Sequence, residues 1–156
     1  MMELMAVVGI VAILALMALP SFQNQIVRDQ INAALPLADV VKTPIAASWA
    51  ATQSFPSDNA GAGLPPADKI VNNYIGSILV DGGAMHITFG NRANGVIFGK
   101  VLSIRPAVVT DAPIVPVAWV CGAAEAPDKM TLKGENKTNI PADYLPFSCR
   151  AYKRAN

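Results

Sequence analysis

The stretch Glu3-Leu4-Met5-Ala6-Val7-Val8-Gly9-Ile10-Val11-Ala12-Ile13-Leu14-Ala15-Leu16-Met17-Ala18-Leu19-Pro20 decides how this chain is organised. One carboxylate opens it, and no further charged side chain follows until Arg28. As a helix, the apolar run 4–19 covers about 24 Å, short of a ~30 Å hydrocarbon core, and the uncharged residues up to 27 make up the length. A secretory signal peptide fits poorly, because a basic start should precede its apolar core and only Glu3 flanks this one. A single membrane span fits better but leaves Glu3 unexplained, since a carboxylate beside an apolar helix start is costly in lipid and such residues tend to be functional and paired. The helix macrodipole offsets part of that cost, and a cationic partner would offset more. Pro20 cannot donate to the carbonyl four residues back, and Gly9 weakens the helix upstream, so the segment has places to kink or loosen.

Beyond Pro20 the apolar period changes. Val27, Ile31, Ala34, Ala38, Val41, Ile45 and Trp49 step by three or four, the stripe of a half-buried helix, while Arg28, Asp29, Asn32 and Lys42 lie mostly off it. Pro36 and Pro44 argue against a straight rod: each kinks the helix, or the regular helix ends near Thr43. The expectation is helix to about residue 50, with Trp49 as a core anchor.

Residues 53–73 are rich in Pro, Gly, Ser and Asn and read as a connecting loop, with a short helical turn at 67–73. Strands are expected at 74–80 and 84–89, flanking the turn Asp81-Gly82-Gly83, and again at 96–104 and 115–121. A long helix followed by a four-stranded, antiparallel sheet is an α+β arrangement. His86 is the only histidine and has no carboxylate or nucleophile at useful spacing, so a surface or core role is expected of it.

Composition agrees with a chain of two solvents. Apolar residues make up 53% of the 156 and charged residues only 15%, and the excess is concentrated at the N-terminus. A net charge of +1 gives no field to steer the protein towards nucleic acid or anionic membrane. The basic end, Arg150, Lys153 and Arg154, reads as a solvated terminus. Paired carboxylates, a nucleophile elbow, a phosphate loop and metal-ligand spacing are absent from the sequence, so neither enzyme activity nor a cofactor is expected. Asn136-Lys137-Thr138 matches a glycosylation acceptor, a short pattern that chance supplies often. Cys121 and Cys149 form no CxxC motif. After a membrane-directed start, a structural disulfide outside the cytoplasm is the natural reading, the other being two buried free thiols.

Glu3-Leu4-Met5, the run from Gly9 to Leu19 and the close Pro20-Ser21-Phe22-Gln23 resemble the N-terminal region of type IV pilins. A second patch, Ile140-Pro141-Ala142-Asp143-Tyr144-Leu145-Pro146-Phe147-Ser148-Cys149-Arg150 behind Trp119-Val120-Cys121-Gly122, is similar to the disulfide-bounded C-terminal region of major pilins. Mature pilins usually begin with a methylated Phe four residues before the glutamate, whereas only Met1 and Met2 precede Glu3 here. The expectation is a mature form lacking two terminal residues, with the short basic leader also absent.

The resemblance implies a subunit that polymerises into an extracellular filament through its apolar helix. Residues 1–27 would form the membrane span and filament core, and residues 28–156 the head, including the amphipathic half of the helix. It implies that Glu3 pairs with the terminal amine of an adjacent subunit and sets register, that Gly9 and Pro20 mark where the helix loosens, and that Cys121 and Cys149 bound the C-terminal loop. It further implies single-pass residence in the inner membrane before assembly, an assembly machinery, and use in twitching motility, adhesion or DNA uptake. The other readings are a minor tip pilin that binds DNA or a surface, and a type II secretion pseudopilin, whose calcium-binding loops find no dense Asp/Asn run here.

Overall fold

The computed structural model describes residues 2–151, without the side chains of Met2 and residues 17–21; Lys153, Arg154 and the terminal amine lie outside the described residues. Helix α1 spans Met2–Thr52 as one element. Every residue of the expected stripe is buried: Val27, Ile31, Ala34, Ala38, Val41 and Ile45 are at most 1% exposed, and Trp49 is 5% exposed. That face gives α1 its place on the sheet, since each fully buried Val or Ile contributes about 1.5–3 kcal/mol. The helix passes through Pro36 and Pro44 instead of ending near Thr43. The carbonyls deprived of a donor belong to Asn32 and Val40, both on the exposed side, where water can satisfy them. The helix ends where Gln53 turns left-handed at φ 54°, its N–H bonding the Trp49 carbonyl, while Phe55 stacks on the Trp49 ring at 4.9 Å.

Strands β1 (Ile75–Asp81), β2 (Ala84–Phe89), β3 (Val101–Val108) and β4 (Ala118–Cys121) form an antiparallel sheet in chain order. The two-residue β5 (Thr131–Leu132) also pairs with β3. Ile78, Val80, Met85, Ile87, Phe89, Leu102 and Ile104 join the helix stripe in one core.

The expected hairpin over β1 and β2 is found, turning at Gly82 and Gly83, both with positive φ. The third strand differs from its expected span of 96–104. Residues 94–100 form successive turns, with Ile97 and Phe98 both donating to the Asn94 carbonyl and Gly99 at φ 72°, so β3 begins at Val101. It also runs on through Pro106, whose missing N–H falls beyond the end of β2, while its carbonyl accepts from Lys133 at 2.9 Å. The fourth strand starts at Ala118, after Pro116, and β5 is too short to leave a sequence signal.

The connecting loop packs tightly around Asn59, 6% exposed. Its amide donates to the carbonyls of Pro65 and Ile78 and its oxygen accepts from Val80 N–H, so it closes the free edge of β1. A short 3-10 turn at Ala67–Lys69 lies within the expected helical turn.

Stripe and water side of α1 should respond differently to truncation. Ile45→Ala is expected to cost about 2–5 kcal/mol and Val40→Ala, at a 63% exposed position, less than about 0.5 kcal/mol. Urea unfolding of the full chain in detergent, followed by tryptophan fluorescence, measures both.

Candidate assembly surface

Below Val27 the helix leaves the head. Each described side chain from Glu3 to Leu16 is exposed, including Leu4 at 73% and Met5 at 80%, and Phe22 continues the apolar surface. An apolar rod of this size is far beyond the patches that monomers leave to water, and marks a surface that is covered in use. Glu3 sits in its first turn, exposed, where the positive end of the helix dipole favours a carboxylate. Gly9 has open space around it, so nothing within the subunit requires a glycine there. The helix backbone continues through Pro20, whose side chain lies outside the described residues. Among the described residues no helix is long and apolar enough to cross a membrane.

Residues 133–139 cross the far side of the sheet as part of a strap. Cys121 and Cys149 are disulfide-bonded, closing the segment between them. Gly122 begins it at φ 57°, where a Cβ would lie 2.5 Å from the Cys149 carbonyl oxygen, so only glycine fits. Further on, Lys137 N–H donates to Ser103 Oγ at 2.8 Å, Thr138 Oγ1 accepts from Ser103 N–H at 3.0 Å, and Asn139 Oδ1 accepts from Val101 N–H at 2.7 Å. The strap thus extends the sheet beside β3 with side chains in place of a strand. The Thr138 hydroxyl of the acceptor-like triplet is committed to this contact.

His86 lies beneath the strap, 4% exposed, with Nδ1 2.9 Å from Ser103 Oγ and Nε2 buried without a hydrogen-bond partner among the described residues. Burial holds its imidazole below the ordinary value, the Lys137 cation adds to the effect, and Asp81 and Glu135 oppose it. Lys137 bonds the Asp81 carboxylate at 2.7 Å, which lowers the acid and raises the amine. This is a structural histidine, linking β2 to the Ser103 hydroxyl that holds the strap. Among the described residues no group of His, Cys, Asp and Glu could hold a metal ion.

Where stem meets head, the C-terminal segment packs on α1. Arg28 donates from Nε and Nη2 to the Asp143 carbonyl at 3.2 and 2.7 Å, and Arg150 Nη2 reaches the same oxygen at 3.1 Å. Arg150 Nε also bonds the Leu145 carbonyl at 2.9 Å. Sequence reading placed Arg150 in a solvated terminus and missed this foot. The one available signal was that Arg28 is the first charge after the uncharged stretch.

The pilin family, described as a bacterial filament protein, matches residues 27–150. The type IV major pilin protein PilE1 of Neisseria gonorrhoeae is 32% identical, covering 96% of this chain and 84% of that one. A fimbrial protein of Neisseria meningitidis is 31% identical, over 96% and 91%. The fimbrial protein EcpC of Eikenella corrodens is 30% identical, over 96% and 88%.

Opening the strap should weaken the head. In the chain-entropy picture, Cys121→Ser with Cys149→Ser costs about 3–4 kcal/mol for a loop of 28 residues' separation, read as a lower urea midpoint. His86 sets a pH window. The unfolded imidazole takes a proton near about 6.5 while the folded one resists, so stability should fall as pH drops below that value and level off beneath the folded pKa. Thermal melts at several pH values check this, with His86→Gln expected to remove that step.

Proposed function

Because the chain belongs to the pilin family of structural filament subunits, which are not enzymes, we propose that it is a major subunit polymerising by helical packing of its apolar N-terminal helix. The observation that carries this reading is the single helix α1, buried along one stripe in the head and exposed on every described side chain from Glu3 to Leu16. Residues 1–27 act as the assembly segment and residues 28–156 as the head that faces outwards. Before assembly the uncharged stretch rests in the inner membrane, from which an assembly machinery extracts it. Gly9 and Pro20 let the helix give way as it moves from bilayer to filament core. The filament serves twitching motility, adhesion or DNA uptake.

Glu3 supplies register. Inside a filament core its carboxylate is desolvated, at a cost of several kcal/mol unless it meets a cation, and the terminal amine of a neighbouring subunit is a suitable one. A subunit one step out of place leaves the charge unpaired. Glu3→Gln and Glu3→Ala are therefore expected to reduce incorporation into filaments sharply while leaving the folded head unchanged. Sheared filaments from cells carrying both parent and variant subunits, quantified by mass spectrometry, provide the test. Incorporation equal to the parent would contradict the role.

A further inference from the structure

The foot of the head gathers two positive charges around one aromatic ring and, among the described residues, gives them no ion-pair partner. The Arg28 guanidinium carbon lies 5.4 Å from the centre of the Phe147 ring and that of Arg150 lies 4.6 Å from it, while Phe147 is 78% exposed. Both cations lean on the carbonyl of Asp143, which satisfies some N–H groups and neutralises nothing. Among the described residues the ion pairs are Lys42–Asp39, Lys69–Asp68, Lys137–Asp81 and Lys137–Glu135, and neither arginine takes part. Two like charges held this close repel each other, and the pair is relieved by an anion that accepts from both. An arginine fork suits a phosphate, since two parallel N–H groups match two of its oxygens.

We propose that Arg28, Arg150 and Phe147 form a docking site for the headgroup phosphate of an anionic phospholipid. The proposal rests on the membrane stage described above. Position supports a lipid as the occupant. Arg28 is the first charge after Glu3, and the uncharged residues 4–27 between them cover about 36 Å of helix, enough to cross a ~30 Å hydrocarbon core and bring Arg28 to headgroup depth. Phe147, exposed in the free subunit, is then at the headgroup/acyl boundary, where its apolar ring can be buried. In sequence Lys153 and Arg154 follow Arg150, adding charge of the same sign. The site holds the head upright on the bilayer before extraction, and leaving it is part of the assembly step.

The full chain reconstituted in vesicles carrying bromine-labelled acyl chains tests this. Phe147→Trp serves as the reporter, read against the parent so that Trp49 and Trp119 are subtracted. With phosphatidylglycerol present, the reporter should be quenched far more than in phosphatidylcholine alone. Each basic residue near an anionic surface strengthens association about fivefold, so Arg28→Gln with Arg150→Gln should weaken docking on the order of thirtyfold. Arg28→Lys with Arg150→Lys should keep most of it. Raising salt from about 0.05 to about 0.5 M should weaken docking without any substitution, and decides the matter if the Gln pair fails to fold. Quenching that is indifferent to phosphatidylglycerol, to salt or to the Gln pair in a folded protein overturns the site. Flotation separates the two ideas: a chain that floats with vesicles but shows no such quenching overturns the docking site alone, and one that does not float overturns the membrane stage as well.

Discussion

The structure depends on the packing of one helical stripe against one face of a sheet. Val27, Ile31, Val41 and Ile45 are almost completely removed from water, and the core they share with Ile78, Ile87 and Leu102 holds the head on the helix. Without that burial α1 would be a poor helix, since each internal proline costs about 3 kcal/mol and there are two within the packed half. Because the stripe begins at Val27, the described apolar side chains from Leu4 to Leu16 project from the head and stay exposed on their own subunit. The same element therefore belongs to two environments, and the boundary between them is set by where the stripe starts.

The opposite face of the sheet is covered by different means. Ala84, His86 and Ser103 would face water on a bare sheet, yet all three are buried under the disulfide-closed strap. Over this face residues 133–139 of the strap carry no apolar side chain and are held by backbone-to-side-chain bonds to Ser103 and Val101, with the Lys137–Asp81 pair at the margin. A covalent tie makes such a polar cover durable by limiting the freedom of the opened state. The exposed ion pair adds little beside it.

Periodicity made the helix legible. The seven stripe residues were readable from spacing alone, as was the hairpin around Asp81-Gly82-Gly83, because turn residues and alternating apolar positions agree there. Where local signals conflict with tertiary pairing they mislead. Val96, Ile97 and Phe98 have strand propensity but form a turn, and Pro106 looks like a strand breaker but sits where no ladder donor is needed. Contacts distant in sequence were invisible: Asn59 closing the β1 edge, Ser103 gripping the strap, and Arg28 meeting Asp143 and Arg150. Nothing in the spacing of those polar residues distinguishes them from ordinary surface residues. The exposed apolar stem was legible for the opposite reason, since an uncharged apolar run opened by a single carboxylate has few physical uses.

In the proposed filament the stem of α1 is the buried axis and the head the exterior. A helical reconstruction of filaments sheared from cells, at a resolution that shows side chains, tests it most directly. Residues 4–16 should pack against the same segment of neighbouring subunits, out of contact with water, with the strap stretch 133–139 on the outer surface. Filaments held together by contacts between heads, with those apolar side chains facing solvent, would contradict it.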